Sequence, residues 1–303
     1  MKVYDCFTFY NEFELLELRL KALWDVVDYF VIVEANRKHN GEPKDFNFWK
    51  RQKDFKDFLS KVRYVPADLS KVPFKGVGDW SIEHAQRNAI INGIGDAAAD
   101  DLIFVNDLDE IPAPDILRRL QDNQIALLAP VVVPTSTDKT VTCMAQLLVS
   151  AADFLEFGAI AMAQTFHYYY FDWVSQGTWQ GTVLAKRKNM TTPQELRWLR
   201  NRAPRVSGGG YHFSYMGGAD RVIEKMTSIV DGNELVVKSS ENLTDRKHVE
   251  EAMAKGTDIY NRQGIQETQF LPYDVRNIKL PCLDEFLKKY PHFLREPEKY
   301  FNN

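Results

Sequence analysis

Cysteine is scarce in this 303-residue chain: Cys6, Cys143 and Cys282 are odd in number, far apart and without a CxxC pair. Neither a disulfide framework nor a zinc site is expected from them. No apolar run reaches membrane-spanning length, and the opening MKVYDCFTFYNEFE is too interrupted for a signal segment. A cytoplasmic, reducing location with no membrane span is therefore expected. Charge of one sign is missing as well: 38 basic residues stand against 42 acidic ones, for a net charge of −4. A broad basic surface for nucleic acid is excluded on that balance. Internal repeats and low-complexity tracts are absent. So is a glycine-rich phosphate loop after the first strand, where the chain reads Phe9-Tyr10-Asn11-Glu12. That gap argues against a sugar-nucleotide nucleotidyltransferase.

What is present is an ordinary globular composition, 45% hydrophobic and 26% charged, with enough chain for one large α/β core. Val3 to Phe9 and Tyr29 to Val33 are apolar runs without polar alternation, the pattern of parallel strands covered on both faces. Phe13, Leu16, Leu20 and Leu23 put a helix between them. A loop over 36–61, a strand at Val62 to Val65, a helix from Trp80 to Ile91, a strand at Leu102 to Val105 and a helix from Asp115 to Leu120 continue the alternation. The expected fold is α/β with a mostly parallel, doubly wound sheet, whose ligands gather at the carboxyl ends of the strands. Residues 125–165 show no secure periodicity. Residues 186–205 carry seven basic side chains and read as an exposed loop with a short helix. A strand over Gly181 to Ala185, a helix over Ala219 to Ile229 and loop-rich chain over 232–280 follow. Leu283, Phe286, Leu287, Tyr290, Phe293 and Leu294 have the spacing of an amphipathic helix closing over the domain.

The sharpest chemical signal is Leu102-Ile-Phe-Val-Asn-Asp107-Leu-Asp109-Glu110-Ile-Pro112, a buried strand running into three carboxylates. On an extended chain Asp107 and Asp109 point the same way and can share one cation. Oxygen ligands of this kind suit Mg²⁺ or Mn²⁺, which also bind substrate phosphates. An acidic turn capping the next helix is the structural alternative. Gly208–Gly218, reading GGGYHFSYMGG, brings backbone close to a ligand and offers His212 as a further ligand or as a core histidine. Glu83 and Arg87 at i,i+4 form either a surface pair or a means of aiming a guanidinium at a diphosphate. Arg205, beside the glycines, poses the same choice. The aromatic run Phe166–Trp173 contains Asp172.

Together these pieces resemble glycosyltransferase family 17. The resemblance runs through YDCFTFYNEFELLELRL at 4–20, FVIVEANRKHNGEPK at 30–44, DLIFVNDLDEIPAPD at 101–115, GGYHFSYMGG at 209–218 and LDEFLKKYPHFL at 283–294. It implies a GT-A-like nucleotide-binding fold in a single domain. Residues 1–124 would be the donor half, 125–280 the acceptor half and 281–303 the closing helix. It also implies inverting transfer from a UDP-sugar, with N-acetylglucosamine expected, to a glycan or lipid-linked oligosaccharide acceptor. Asp107 and Asp109 match the DxD metal pair, and His212 falls where a late ligand is placed. Thr8, Asn11 and Glu34 end the first two strands and are expected, with Arg87 and Arg205, at the donor. Inversion needs a base for the acceptor hydroxyl. Asp172 is the first choice, with Glu110, Asp153 and Glu156 as alternatives. A degenerate glycan-binding relative is the non-enzymatic reading.

Overall fold

A computed structural model describes residues 1–122, 124–134, 140–262 and 269–301. In chain order the elements begin β1 (Val3–Phe9), α1 (Phe13–Leu23), β2 (Tyr29–Ala35), α2 (Asn47–Arg51), β3 (Val62–Ala67), α3 (Ser81–Asn88), β4 (Leu102–Asp107), β5 (Glu110–Pro112) and α4 (Pro114–Gln121). They continue with β6 (Gln124–Pro134), β7 (Thr140–Ser150), α5 (Ala151–Phe157), β8 (Ala159–Tyr168), β9 (Trp173–Lys186), α6 (Pro193–Trp198) and β10 (Arg205–Ser214). The remainder is α7 (Ala219–Ser228), α8 (Val230–Lys238), α9 (Arg246–Lys255), β11 (Leu271–Pro272), α10 (Leu283–Lys289) and α11 (Pro297–Phe301).

One sheet carries both halves of the chain, in the order β3-β2-β1-β4-β9-β8-β10-β6-β7, with β5 on β10 and β11 on β9. The run β3-β2-β1-β4 is parallel throughout. β8 and β10 are also parallel to each other, while β9 and β6 run against their neighbours. The sheet is thus mostly parallel in strand direction, as the apolar runs predicted. Alternation along β1 explains the two-sided cover. Val3, Phe7 and Phe9 join α1 in one core cluster, whereas Tyr4 and Cys6 join Ile82 of α3 in another.

The stretch 125–165, left unassigned from sequence, forms β6, β7, α5 and most of β8. Its antiparallel β6–β7 ribbon lies at the sheet edge. The 232–280 stretch is more helical than expected, since α8 and α9 occupy much of it; residues 263–268 lie outside the described residues. α10 closes over α1 through Leu283, Phe286 and Leu287. No helix of the described residues is long and apolar enough to cross a membrane. Cys6 and Cys282 are free thiols, and the Cys143 side chain lies outside the described ones.

Candidate functional site

The site grows from the carboxyl end of β4, next to β1 at the centre of the sheet. Arg19 of α1, with no solvent exposure, forks onto Asp5 of β1 through Nε at 2.7 Å and Nη2 at 2.5 Å. Its remaining nitrogen donates to the carbonyls of Asp107 (3.2 Å), Leu108 (3.0 Å) and Glu110 (2.6 Å). A helix residue thereby fixes the backbone path between β4 and β5. Two charges buried in one pair need this many hydrogen bonds to offset desolvation. Helix periodicity alone does not single out Arg19, although an arginine among the leucines of α1 is an anomaly on an amphipathic helix.

Asp107 ends β4 and is held by three neighbours. Arg87 donates to Oδ1 at 2.8 Å, Arg197 to Oδ2 at 2.8 Å, and the Thr8 hydroxyl to Oδ1 at 3.3 Å. Burial alone would raise this carboxyl, but Arg197 and Arg87 outweigh it and hold Asp107 well below the usual carboxylate range. Glu110 is fully buried and fully engaged. Its oxygens accept from Arg197 (2.7 Å twice), from the Trp179 indole (2.6 Å) and from the Asp107 backbone N–H (3.0 Å). That leaves Glu110 no free oxygen for a substrate proton, so its role is to position Arg197.

The chain turns after Asp107, so Asp109 does not sit on an extended strand as the two-residue spacing suggested. It faces another set of groups. Lys225 of α7 donates to Oδ2 at 2.6 Å, and His212 Nε2 lies 3.5 Å from Oδ1. The antiparallel pairing of β5 with β10 sets His212 opposite Glu110, which explains how a residue 103 positions later arrives here (212 − 109). Phe166 stacks on the His212 ring at 4.8 Å and Trp179 lies at 4.7 Å, fixing its plane. Burial opposes ionisation of Asp109, but Lys225 and His212 hold its carboxyl far below the ordinary range.

These residues fit a divalent cation in one way. No group of three or more His, Cys, Asp or Glu side chains is placed to enclose an ion among the described residues. Asp109 Oδ1 and His212 Nε2 are the pair that could offer a two-ligand seat. Their 3.5 Å separation is long for a hydrogen bond. Cis ligands about 2.1 Å from an octahedral cation stand roughly 3.0 Å apart, so this pair would have to close slightly to share one ion. Such a seat leaves the rest of the shell to phosphate and water, as Mg²⁺ habitually arranges.

Arg197, Lys225 and the two aspartates open onto one cavity of about 620 Å³, with Arg19 and Glu110 behind its wall. Thr8, Asn11, Arg87, Asp107, Asp109 and His212 all line it. Arg87 is an i,i+4 partner of Glu83, as the spacing suggested, but it is buried and also bridges to Asp107 and Gln194. Asn11 donates to Glu224 at 2.9 Å, and its carbonyl accepts from Arg221.

Other expected residues lie elsewhere. Glu34 is buried beneath the start of α2, where it accepts from the Asn47 and Phe48 backbone N–H groups, Lys44 and the Tyr64 hydroxyl. It does not line the cavity. Among the described residues the Arg205 side chain reaches only the Asn201 carbonyl, at 3.3 Å, and it does not line the cavity. The Asp172 carboxylate accepts from the backbone N–H groups of Arg295 (2.9 Å) and Glu296 (3.4 Å) and ties down the C-terminal segment, away from the cavity. Asp153 is exposed in α5, and Glu156 pairs with Lys186 and Lys188.

Arg197 was missed because 186–205 read as exposed. It lies in α6, whose Thr192 hydroxyl accepts from the Glu195 N–H. The Thr-Pro-Gln-Glu run was the legible signal for that helix start.

Comparison with known proteins now bears on this site. Residues 1–127 match the model of glycosyltransferase family 17. The early blocks of the resemblance, and the Asp107–Asp109 turn, fall inside that match. Over 112 residues the chain is 34% identical to beta-1,4-mannosyl-glycoprotein 4-beta-N-acetylglucosaminyltransferase of Homo sapiens, covering 35% of this chain and 21% of the relative. The Rattus norvegicus protein of the same name gives 34% over 112 residues, with 35% and 20% covered; the Mus musculus protein gives 33% with the same shares. The chain therefore matches about a fifth of the length of these relatives. Arg197, His212 and Lys225 lie beyond the family 17 match and are joined to it by the fold alone.

Proposed function

We propose that this protein is an inverting, metal-dependent glycosyltransferase with a GT-A-like fold. It transfers a sugar, N-acetylglucosamine in our reading, from a UDP-sugar to a glycan or lipid-linked oligosaccharide. The observation that carries the proposal is the Asp109–His212 seat, built beside an arginine-held Asp107 in one cavity. Mn²⁺ or Mg²⁺ held by Asp109 and His212 would neutralise the charge developing on the departing diphosphate. Arg200 lines the same cavity over the Trp179 ring at 5.1 Å and makes no ion pair among the described residues. Its guanidinium is free for phosphate oxygens. Arg87 and Arg197 keep Asp107 ionised and oriented, while Glu110 fixes Arg197. Thr8 and Asn11, at the end of β1, border the nucleotide. Trp80 and Trp198, 38% and 59% exposed on the rim, offer faces on which an acceptor sugar can stack.

Calorimetric titration with UDP, with and without Mn²⁺, tests the reading, together with release of UDP from UDP-N-acetylglucosamine. Binding and release that both rise with Mn²⁺ are expected. Indifference of both to metal would overturn the metal assignment, and absence of both would overturn the glycosyltransferase reading.

A further inference from the structure

The expected bases, Asp172 and Glu110, are respectively outside the cavity and fully engaged. The carboxylates that do line the cavity separate by what already occupies them. Asp107 and Asp109 are paired as described. Glu83 accepts from Arg87, Glu14 from Arg221, and Glu224 from the Tyr10 hydroxyl and the Asn11 amide. Glu12 Oε2 accepts both the Tyr10 and the Asn11 backbone N–H, two bonds that hold this carboxylate in the turn after β1 against the single one on Asp231.

Asp231 remains. It stands in the first turn of α8, lines the cavity and is open to solvent within it. Its Oδ1 accepts only from the Gly232 N–H at 3.0 Å, and its Oδ2 meets no donor among the described residues.

We propose that Asp231 is the general base that takes the proton of the acceptor hydroxyl; this rests on the transfer reaction proposed above. The acceptor oxygen then bonds to the anomeric carbon as the carbon–oxygen bond to UDP breaks. The electron pair of that bond leaves on the diphosphate, and the hydroxyl proton stays on Asp231. The groups facing Asp231 suit this role. Glu83 of α3, Lys225 of α7 and the Tyr215 and Tyr260 phenols line the same cavity and interact electrostatically with Asp231. Partial desolvation by the surrounding cavity walls, although solvent still reaches the side chain, and then the Glu83 charge raise the Asp231 carboxyl above its ordinary value, while the Gly232 N–H and Lys225 pull the other way. A carboxylate of raised basicity holds a proton better than the paired aspartates across the cavity. Lys225 also holds Asp109, so the base and the metal seat share one neighbour.

The test uses the whole chain with UDP-N-acetylglucosamine, Mn²⁺ and water as the probe nucleophile. Asp231→Asn should lower UDP release by about 10²-fold or more, while UDP affinity measured by calorimetry stays at the wild-type level. Wild-type release should fall on the acid side as Asp231 is protonated, and that limb should vanish in Asp231→Asn. Asp231→Glu should restore part of the rate and keep an acid limb. Wild-type rates in Asp231→Asn would overturn the proposal, as would loss of UDP affinity, which would mark a donor-site residue instead. If the wild type binds no UDP and releases none, the transfer reading itself fails and takes the base with it.

Discussion

Asp107 and Arg197 differ in how visible they were as residues. Asp107 announced itself because an apolar strand ending in carboxylates has few structural explanations. Arg197 sat in a basic stretch that read as solvated surface, because burial of an arginine depends on partners far away in sequence. Here the partners are Asp107, Glu110 and the Gly181 carbonyl. Arg197→Lys should therefore sharply cut the UDP release expected of the proposed transferase, since one ammonium cannot fork onto two carboxylates. Arg197→Met should cost roughly 3–5 kcal/mol of stability, because Asp107 and Glu110 lose a buried countercharge. Urea unfolding and UDP-release rates on both variants decide it. A stable, fully active Arg197→Lys protein would refute the assignment. Asp109→Ala strands the Lys225 ammonium and should cost stability, but where it stays folded it should abolish the expected Mn²⁺ enhancement of UDP binding, and unchanged enhancement would remove Asp109 from the proposed metal seat.

Among the elements, β5 and β10 matter most, because their pairing carries His212 to Asp109. Gly210 has φ +135°, and a Cβ there would strike the Ile111 carbonyl and the Pro112 backbone. Gly210→Ala should thus loosen the β5–β10 contact and raise the Mn²⁺ concentration needed for half-maximal turnover, a shift that kinetic titration would detect. The glycine run was legible in the sequence as a place of close approach, but the strand it would meet was not. Local pattern gave the parallel strands β1, β2 and β4, whose apolar runs need no partner to be recognised. The β6–β7 ribbon and β8 were not recovered, because their register depends on cross-strand neighbours rather than on period.

His167, on β8, adds a pH response. Burial lowers its imidazole to about 3, against 6.5 ordinarily, with Nδ1 2.8 Å from the Phe171 carbonyl. The folded state keeps this ring neutral while the unfolded chain protonates it below 6.5. Its contribution to stability is therefore complete above 6.5 and is lost as pH falls toward 3, by about 1.4 kcal/mol per pH unit. Denaturation midpoints of wild type and His167→Gln between pH 7 and 4 should diverge in slope, the variant being flatter.

At the scale of the whole molecule, the C-terminal segment packs over the domain, and Asp172 is its anchor. The amphipathic spacing from Leu283 to Leu294 predicted one helix, whereas the chain forms α10 over Leu283–Lys289 and a separate 3-10 turn over Pro291–Phe293, both packed into the core. The partner that receives this segment was misread as a catalytic base because an aspartate among aromatic rings looks like a sugar site. Phe171 and Phe293 pack edge to face at 5.8 Å, and the Phe171 N–H donates to the Phe293 carbonyl at 2.9 Å. Asp172 then accepts the next backbone donors along, on Arg295 and Glu296. Burial raises its carboxyl, and the Arg295 N–H bond offsets part of that. Removing the carboxylate strands two backbone donors at the closure, a loss of roughly 1–3 kcal/mol. Asp172→Ala should accordingly unfold at lower temperature, with residues 290–301 the first to gain amide-exchange rate. At temperatures where it stays folded, its UDP affinity and UDP-release rate should match the wild type, since no atom of Asp172 lines the cavity. A folded Asp172→Ala protein that binds UDP but has lost turnover and its acid limb would return the base to Asp172 and take it from Asp231.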